Sequence, residues 1–293
     1  MQGAPAYPDI AAQIRAIGAQ IEVARTGELY RALHPVAAPG DIAIARELRY
    51  GPHERQVFDV FAQRGASPAA ARPVVVFVHG GGFRAGDKRL PGQPFHDNVG
   101  IWAARAGLLG VTMNYRLAPE AVYPAGAEDM ERAVARLAAI AGEHGGDPRR
   151  IFLWGHSAGA AHVADYIVSR PEPRLAGAIL TSGIYDKSGG AAVSPWSIYY
   201  GTDVARLAAL SDVPGLIATR VPLLLTWAEL DRADFVTDAT ALAGAFARAG
   251  RTAATLALPG HSHISEIYAI GTADTSLSGP ALNFIHAVSK ESP

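Results

Sequence analysis

The sequence predicts an α/β fold: a doubly wound, mostly parallel sheet of eight strands, with an antiparallel hairpin near its start and helical cap elements. Three observations carry that prediction. Continuous β-branched and aromatic runs recur at Pro73–Val78, Leu108–Met113, Ile151–Trp154, Ala178–Thr181, Leu223–Trp227 and Thr255–Leu258, and runs without polar alternation suit strands covered on both faces. Helical patterns fall between them, at Ala127–Ala141, Ala158–Val168, Val236–Ala249 and Leu277–Val288; right-handed crossovers place such helices on both sides of the sheet. Upstream, Ile42–Tyr50 and Gln56–Gln63 read as extended, and Gly51-Pro52 supplies the turn of a hairpin.

Length and composition bound the rest. No low-complexity linker divides the 293 residues, so 1–293 reads as a single domain. Within it, 1–40 is an N-terminal helical cap segment: Ile10, Ile14, Ile17 and Ile21 keep a helical period across residues 9–34. The stretch 183–221 lacks a clear period and reads as a lid or cap insertion, since long aperiodic segments often serve as binding loops. The absence of cysteine excludes disulfides, thiolate metal sites and a Cys nucleophile. Met1–Asp9 shows no basic region followed by an apolar run, and no stretch approaches the ~20 apolar residues of a membrane span. The expectation is a cytoplasmic protein with no membrane partner. A net charge of −1 without a basic block argues against nucleic acid. The expected partner is a small molecule; the oligomeric state stays open, a homodimer being one option.

The chemistry begins at Gly155-His156-Ser157-Ala158-Gly159, which joins a buried run to a helical one. This is G-x-S-x-G in a strand–turn–helix setting, where a strained turn lifts the Ser157 hydroxyl above the sheet edge. Glycines two residues to either side let strand and helix approach closely. The helix start also favours negative charge that develops near the nucleophile.

After the strand ending at Val78 comes His79-Gly80-Gly81-Gly82-Phe83. Main-chain N–H groups in such a loop stabilise the oxyanion of an acyl-transfer intermediate by several kcal/mol; Gly81, Gly82 and Ala158 are the candidate donors. Gly80-x-Gly82-x-x-Ala85 also matches a dinucleotide-binding pattern. That pattern needs a helix to start within the glycines, whereas Arg84–Pro94 holds Gly86, Pro91, Gly92 and Pro94 and has no helical period. No organic cofactor is expected.

A serine nucleophile needs a histidine base and an acid to orient it, in the chain order Ser, acid, His. Asp231 lies just past the strand Leu223–Trp227, with Glu229 and Asp234 as competitors; Asp234 precedes the Val236 helix and reads as its cap. Past the last strand, His261 and His263 are both candidates for the base. The His-x-His spacing suits a metal, but no third ligand at matching spacing accompanies it, so no metal is expected. His156, His162 and His286 read as packing or surface residues.

These motifs make the chain similar to the α/β-hydrolase esterases related to hormone-sensitive lipase, and also to the arylformamidases. The residues that carry the resemblance are His79–Phe83, Asn114-Tyr115-Arg116-Leu117-Ala118-Pro119-Glu120 with Tyr123-Pro124-Ala125, Gly155–Gly159, Ala228–Asp231 and the His263 loop. It runs from about residue 50 to the end; the first forty residues match loosely, as a helical cap. The resemblance implies Asp231 as the acid and His263, after a Pro-Gly-x-x pattern, as the base. Many lipase-like members have Asp before the nucleophile. His156 here, and the Arg84-Ala85-Gly86-Asp87-Lys88 tail of the glycine loop, lie closer to the formamidases.

The sequence therefore reads as a serine hydrolase that cleaves small carboxylic esters through an acyl-enzyme. Arylformamidase or aryl amidase activity is the alternative, and a non-catalytic hydrolase-like binding protein the remote one. Phe83, Tyr185, Trp196, Tyr199 and Tyr200 are the candidate substrate-binding side chains, because ligands bind at the C-terminal edge of open α/β sheets.

Overall fold

The computed structural model describes residues 7–35, 39–170, 172–188 and 196–291. Two helices come first, α1 (Tyr7–Ile17) and α2 (Val23–Arg31), then the strands β1 (Ile42–Arg49), β2 (Val57–Gln63) and β3 (Arg72–Val78). Alternation follows: α3 (Asp97–Arg105), β4 (Leu109–Met113), α4 (Ala125–Ile140), β5 (Gly146–His156), α5 (Ala158–Ser169) and β6 (Gly177–Thr181). Three short helices come next, α6 (Ser197–Tyr200), α7 (Val204–Ala209) and α8 (Val213–Ala218). The chain closes with β7 (Leu223–Leu230), α9 (Ala233–Arg248), β8 (Ala254–Ser262), α10 (Ser265–Tyr268) and α11 (Ser278–Glu291).

The eight strands form one sheet in the order β1-β2-β4-β3-β5-β6-β7-β8. β1 and β2 pair antiparallel, as do β2 and β4; every other pair is parallel. The order reverses around β3, so the crossovers feed helices to both faces. Side chains of β3 alternate between two cores: Val74, Val76 and Val78 pack with α4 and α5, while Val75 and Phe77 pack with residues of α1, α3 and α11. That is why the run carries no polar alternation.

Several boundaries differ from the sequence reading, each for a local reason. The helical period across residues 9–34 is two helices. Gly18 adopts φ +64° and donates its N–H to Ile14, which ends α1. Ile10, Ile14 and Ile17 are buried, but Ile21 lies beyond the break and is 40% exposed. β1 is interrupted by an irregularity between Ala45 and Leu48. β8 continues past Leu258, because Ser262 still pairs with Leu230 after a register shift. Of the stretch 183–221, residues 189–195 lie outside the described residues; the described remainder holds α6, α7 and α8. No helix of the described residues is long and apolar enough to cross a membrane.

The segment after β6 is tied to α5 by a buried charge cluster. The Lys187 amine donates to Asp165 Oδ1 at 2.8 Å and to Asp212, and the Tyr200 hydroxyl donates to Asp165 Oδ2 at 2.7 Å. All are at most 2% exposed. Burial opposes the charge on Lys187, yet the two carboxylates outweigh it and raise its pKa above the ordinary lysine range. Removing one partner of a buried pair strands the other charges. Lys187→Met is therefore expected to destabilise the fold by about 3–5 kcal/mol in denaturant titrations; a loss below about 1 kcal/mol would show that the cluster contributes no more than a surface pair.

Candidate active site

Ser157 occupies the joint between β5 and α5 with φ +55°, a conformation uncommon outside glycine. Contact explains the flanking glycines. A Cβ on Gly155 would lie 2.5 Å from the Ala160 Cα, and one on Gly159 2.1 Å from the Val78 carbonyl oxygen. A side chain at either place would force α5 away from β3 and β5.

Parallel strands β5, β7 and β8 deliver three side chains to the same sheet edge. Ser157 follows β5, Asp231 follows β7 and His263 follows β8. His263 Nε2 lies 2.9 Å from Ser157 Oγ, and His263 Nδ1 lies 2.7 Å from Asp231 Oδ1. All three are buried. With the Nδ1 proton donated to Asp231, Nε2 is the bare nitrogen facing the hydroxyl.

The competing residues are engaged elsewhere. Glu229 Oε2 accepts from the Gly260 N–H at 2.6 Å, and Oε1 faces Arg15. Asp234 is not the cap of its helix: Arg232 holds that position, and Asp234 lies inside the first turn, paired with Arg232. The helix starts earlier than the apolar period implied, and the acid still faces its positive end. His261 Nε2 lies 2.8 Å from Ser276 Oγ and 3.1 Å from Asp274, on the far side of the loop.

Gly81 (φ +131°) and Gly82 (φ +60°) form a turn in which the N–H groups of Arg84 and Ala85 fold back onto the Gly81 carbonyl. A Cβ on Gly81 would meet the Ala85 carbonyl oxygen at 2.0 Å. Ala158 is the first residue of α5, so its N–H has no acceptor within the helix. Residues that the sequence reading quoted only for resemblance brace this loop. The Tyr115 hydroxyl donates to the His79 carbonyl at 2.9 Å. Asn114 accepts from the Lys88 N–H at 2.5 Å and donates to Asp87 at 2.9 Å. The buried Lys88 amine reaches Asp59 on β2 at 3.1 Å and also binds Glu47 on β1.

A cavity of about 490 Å³ opens beside Ser157. Its walls include Ile21, Val23, Leu90, Phe235, Ile267 and Tyr268, with Gly80, Gly81, Gly82 and His263 at its floor. A crevice of about 10 Å³ also touches Ser157, bounded by Gly82, Phe83, Ala158, Ala161, Ile184, Trp196 and Phe235. Such a volume holds about one water molecule.

A family model described as the alpha/beta hydrolase fold matches residues 75–264. The chain belongs to the α/β-hydrolase fold family. Among curated relatives, the esterase LipQ of Mycobacterium tuberculosis is 30% identical over 163 residues, which are 54% of this chain and 37% of LipQ. The carboxylesterase NlhH of the same organism is 46% identical over 88 residues, 30% of this chain and 26% of NlhH. These matches thus span well under half of either relative. Among solved structures, an esterase of the bacterial hormone-sensitive lipase family superposes with a TM-score of 0.68 at 24% identity, covering 99% of each chain.

Of the side chains expected to bind substrate in this α/β-hydrolase, Trp196 lines both cavity and crevice, and Phe83 lines the crevice. Tyr185, Tyr199 and Tyr200 do not line either; they are fully buried packing residues. Tyr199 stacks on Phe83 with ring centres 4.8 Å apart, and its hydroxyl accepts from the Gly126 N–H. Tyr200 is held by Asp165, and Tyr185 belongs to the core cluster that also holds Leu216 of α8. Tyr199 and Tyr200, amphipathic rings whose hydroxyls find partners inside, serve as core. Sequence reasoning missed Ile21, Val23 and Phe235 as cavity walls, and it missed the contact between His156 and the His263 loop.

His156, His263 and Glu266 are one group of described residues whose potential ligand atoms lie within 4.8 Å of one another. Both ring nitrogens of His263 already face Ser157 and Asp231, and His156 Nε2 lies 2.8 Å from the His263 carbonyl. This donor set suits a hydrogen-bond network better than a cation.

Proposed function

We propose that this α/β-hydrolase cleaves esters of short carboxylic acids with bulky apolar alcohols, through an acyl-enzyme on Ser157. The observation that supports it most is the unbroken Ser157–His263–Asp231 chain, with links of 2.9 and 2.7 Å. Esterase relatives support the ester over other acyl substrates. His263 Nε2 takes the Ser157 proton as Oγ bonds to the carbonyl carbon. Gly81, Gly82 and Ala158 donate N–H groups to the oxyanion, and Asp231 stabilises the imidazolium. His263 then gives the proton to the departing alcohol oxygen. Water attacks the acyl-enzyme by the same sequence, releasing the acid and restoring Ser157.

The two spaces beside Ser157 define the orientation. A leaving alcohol must sit within reach of His263 Nε2 to receive its proton. His263 lines the 490 Å³ cavity and is not among the residues that bound the crevice. The alcohol therefore occupies the cavity, and the acyl substituent enters the crevice, which suits a formyl or methyl group. 1-Naphthyl acetate is expected to be a good substrate, with kcat/KM at least about tenfold above 1-naphthyl hexanoate. Trp196→Ala should narrow that ratio by opening the crevice. Equal rates on the two esters in the wild type would reject the assignment of the two spaces. Because a formyl group fits the same crevice, an aryl formamide belongs in the screen; faster cleavage of the formamide than of the acetate would favour the arylformamidase alternative.

A further inference from the structure

A second histidine–acid pair shares the buried space of the three residues above. His156 stands between Gly155 and Ser157 at the end of β5. Its Nε2 donates to the main-chain carbonyl of His263 at 2.8 Å, and the two rings lie 4.8 Å apart, tilted by 42°. The same Nε2 is 3.4 Å from Oε1 of Glu266, a fully buried acid on α10, three residues after the base. The bond to a carbonyl fixes the tautomer, since only a protonated Nε2 donates to it. Burial, with His263 adding to it, holds the His156 pKa well below the imidazole range, so the ring is neutral. Burial, with the Asp231 charge adding to it, holds Glu266 well above the carboxyl range. The pair is thus two neutral groups packed against the base, and it adds no second negative charge beside Asp231.

This contact has a geometric consequence. Ser157 and His263 lie 106 residues apart in sequence, past the ends of different strands, and His263 sits in the loop between β8 and α10. The sheet links β8 to β5 by way of β6 and β7, so a direct tie between the loop and β5 fixes their register more closely. His156 is the immediate neighbour of the nucleophile, and its bond runs to the backbone of the base. We propose that His156 and Glu266 are positioning residues that hold His263 in register with Ser157, His156 by pinning the His263 carbonyl and Glu266 by packing against the His156 ring without a hydrogen bond to it. The inference rests on the proposed roles of Ser157 and His263. A displacement of about 1 Å between reacting groups can lower a rate by about a hundredfold, so the tie acts on kcat, although His156 also lines the cavity.

The test uses the full chain, 1-naphthyl acetate and an alkyl phosphonate that labels serine. His156→Gln places an amide N–H where Nε2 was, whereas His156→Asn places one near the level of Nδ1, out of reach of the carbonyl. Expected for His156→Asn is a loss of roughly tenfold to a hundredfold in kcat, matched in the phosphonylation rate. His156→Gln should stay within about threefold of wild type in both. Glu266→Gln, neutral and of the same shape, should resemble wild type, and Glu266→Ala should resemble His156→Asn. Equal losses in the Gln and Asn variants overturn the proposal, as does a His156→Asn protein with wild-type kcat and labelling rate. A folded Glu266→Ala protein with wild-type kcat overturns it for Glu266. Wild-type labelling anywhere but Ser157 would instead refute the underlying acyl-enzyme reading, whatever the variants' ranking.

Discussion

Ser157→Ala is expected to lower kcat on a short aryl ester by about 10⁴-fold or more while leaving the fold intact. The size of the effect follows from what remains. The N–H groups of Gly81, Gly82 and Ala158 would still polarise the carbonyl, and the cavity would still bind the alcohol. A water molecule would have to replace the hydroxyl without the elbow to hold it. The fold should tolerate the change because, among the described residues, the hydroxyl bonds to His263, and φ +55° is no harder for Ala than for Ser. The wild-type protein should take one phosphonate equivalent, and digestion with mass spectrometry should find it on Ser157. Full activity after stoichiometric labelling at another residue would remove Ser157 from the reaction.

The second large effect separates two histidines that stand two positions apart. His263→Ala should lower kcat/KM by about 10⁴-fold, because no ring is left to take the Ser157 proton. His261→Ala should retain the rate, because its ring is spent on Ser276 and Asp274. An inactive His261→Ala protein beside an active His263→Ala protein would reverse the assignment.

What the sequence disclosed follows physical lines. β3 was legible because a strand covered on both faces excludes polar residues throughout its length, and the elbow because only glycine fits at positions 155 and 159. The break at Gly18 was not, since Ile10, Ile14, Ile17 and Ile21 continue one apolar period across it and only three of them are buried. The tyrosines were misplaced for a related reason: an aromatic ring near a sheet edge looks the same in sequence whether it faces a ligand or packs beneath one. Trp196 lines the cavity, whereas Tyr199 and Tyr200 are packed in the interior. Phe235 was hidden inside a helix start. The neighbours of His156 depend on an approach between β5 and the loop past β8 that no local pattern encodes.

Phe235 has a double duty that limits how this site can change. Its ring lies 4.5 Å from that of His263 and also lines both the cavity and the crevice. Trimming it to admit a longer acyl chain would wet the base in the same stroke, trading turnover for breadth. Ile184 and Trp196 border the crevice without stacking on the imidazole. Selectivity should therefore drift most freely through those two positions, while the aromatic at 235 stays fixed, and a library built to broaden the acyl range should vary them and spare it.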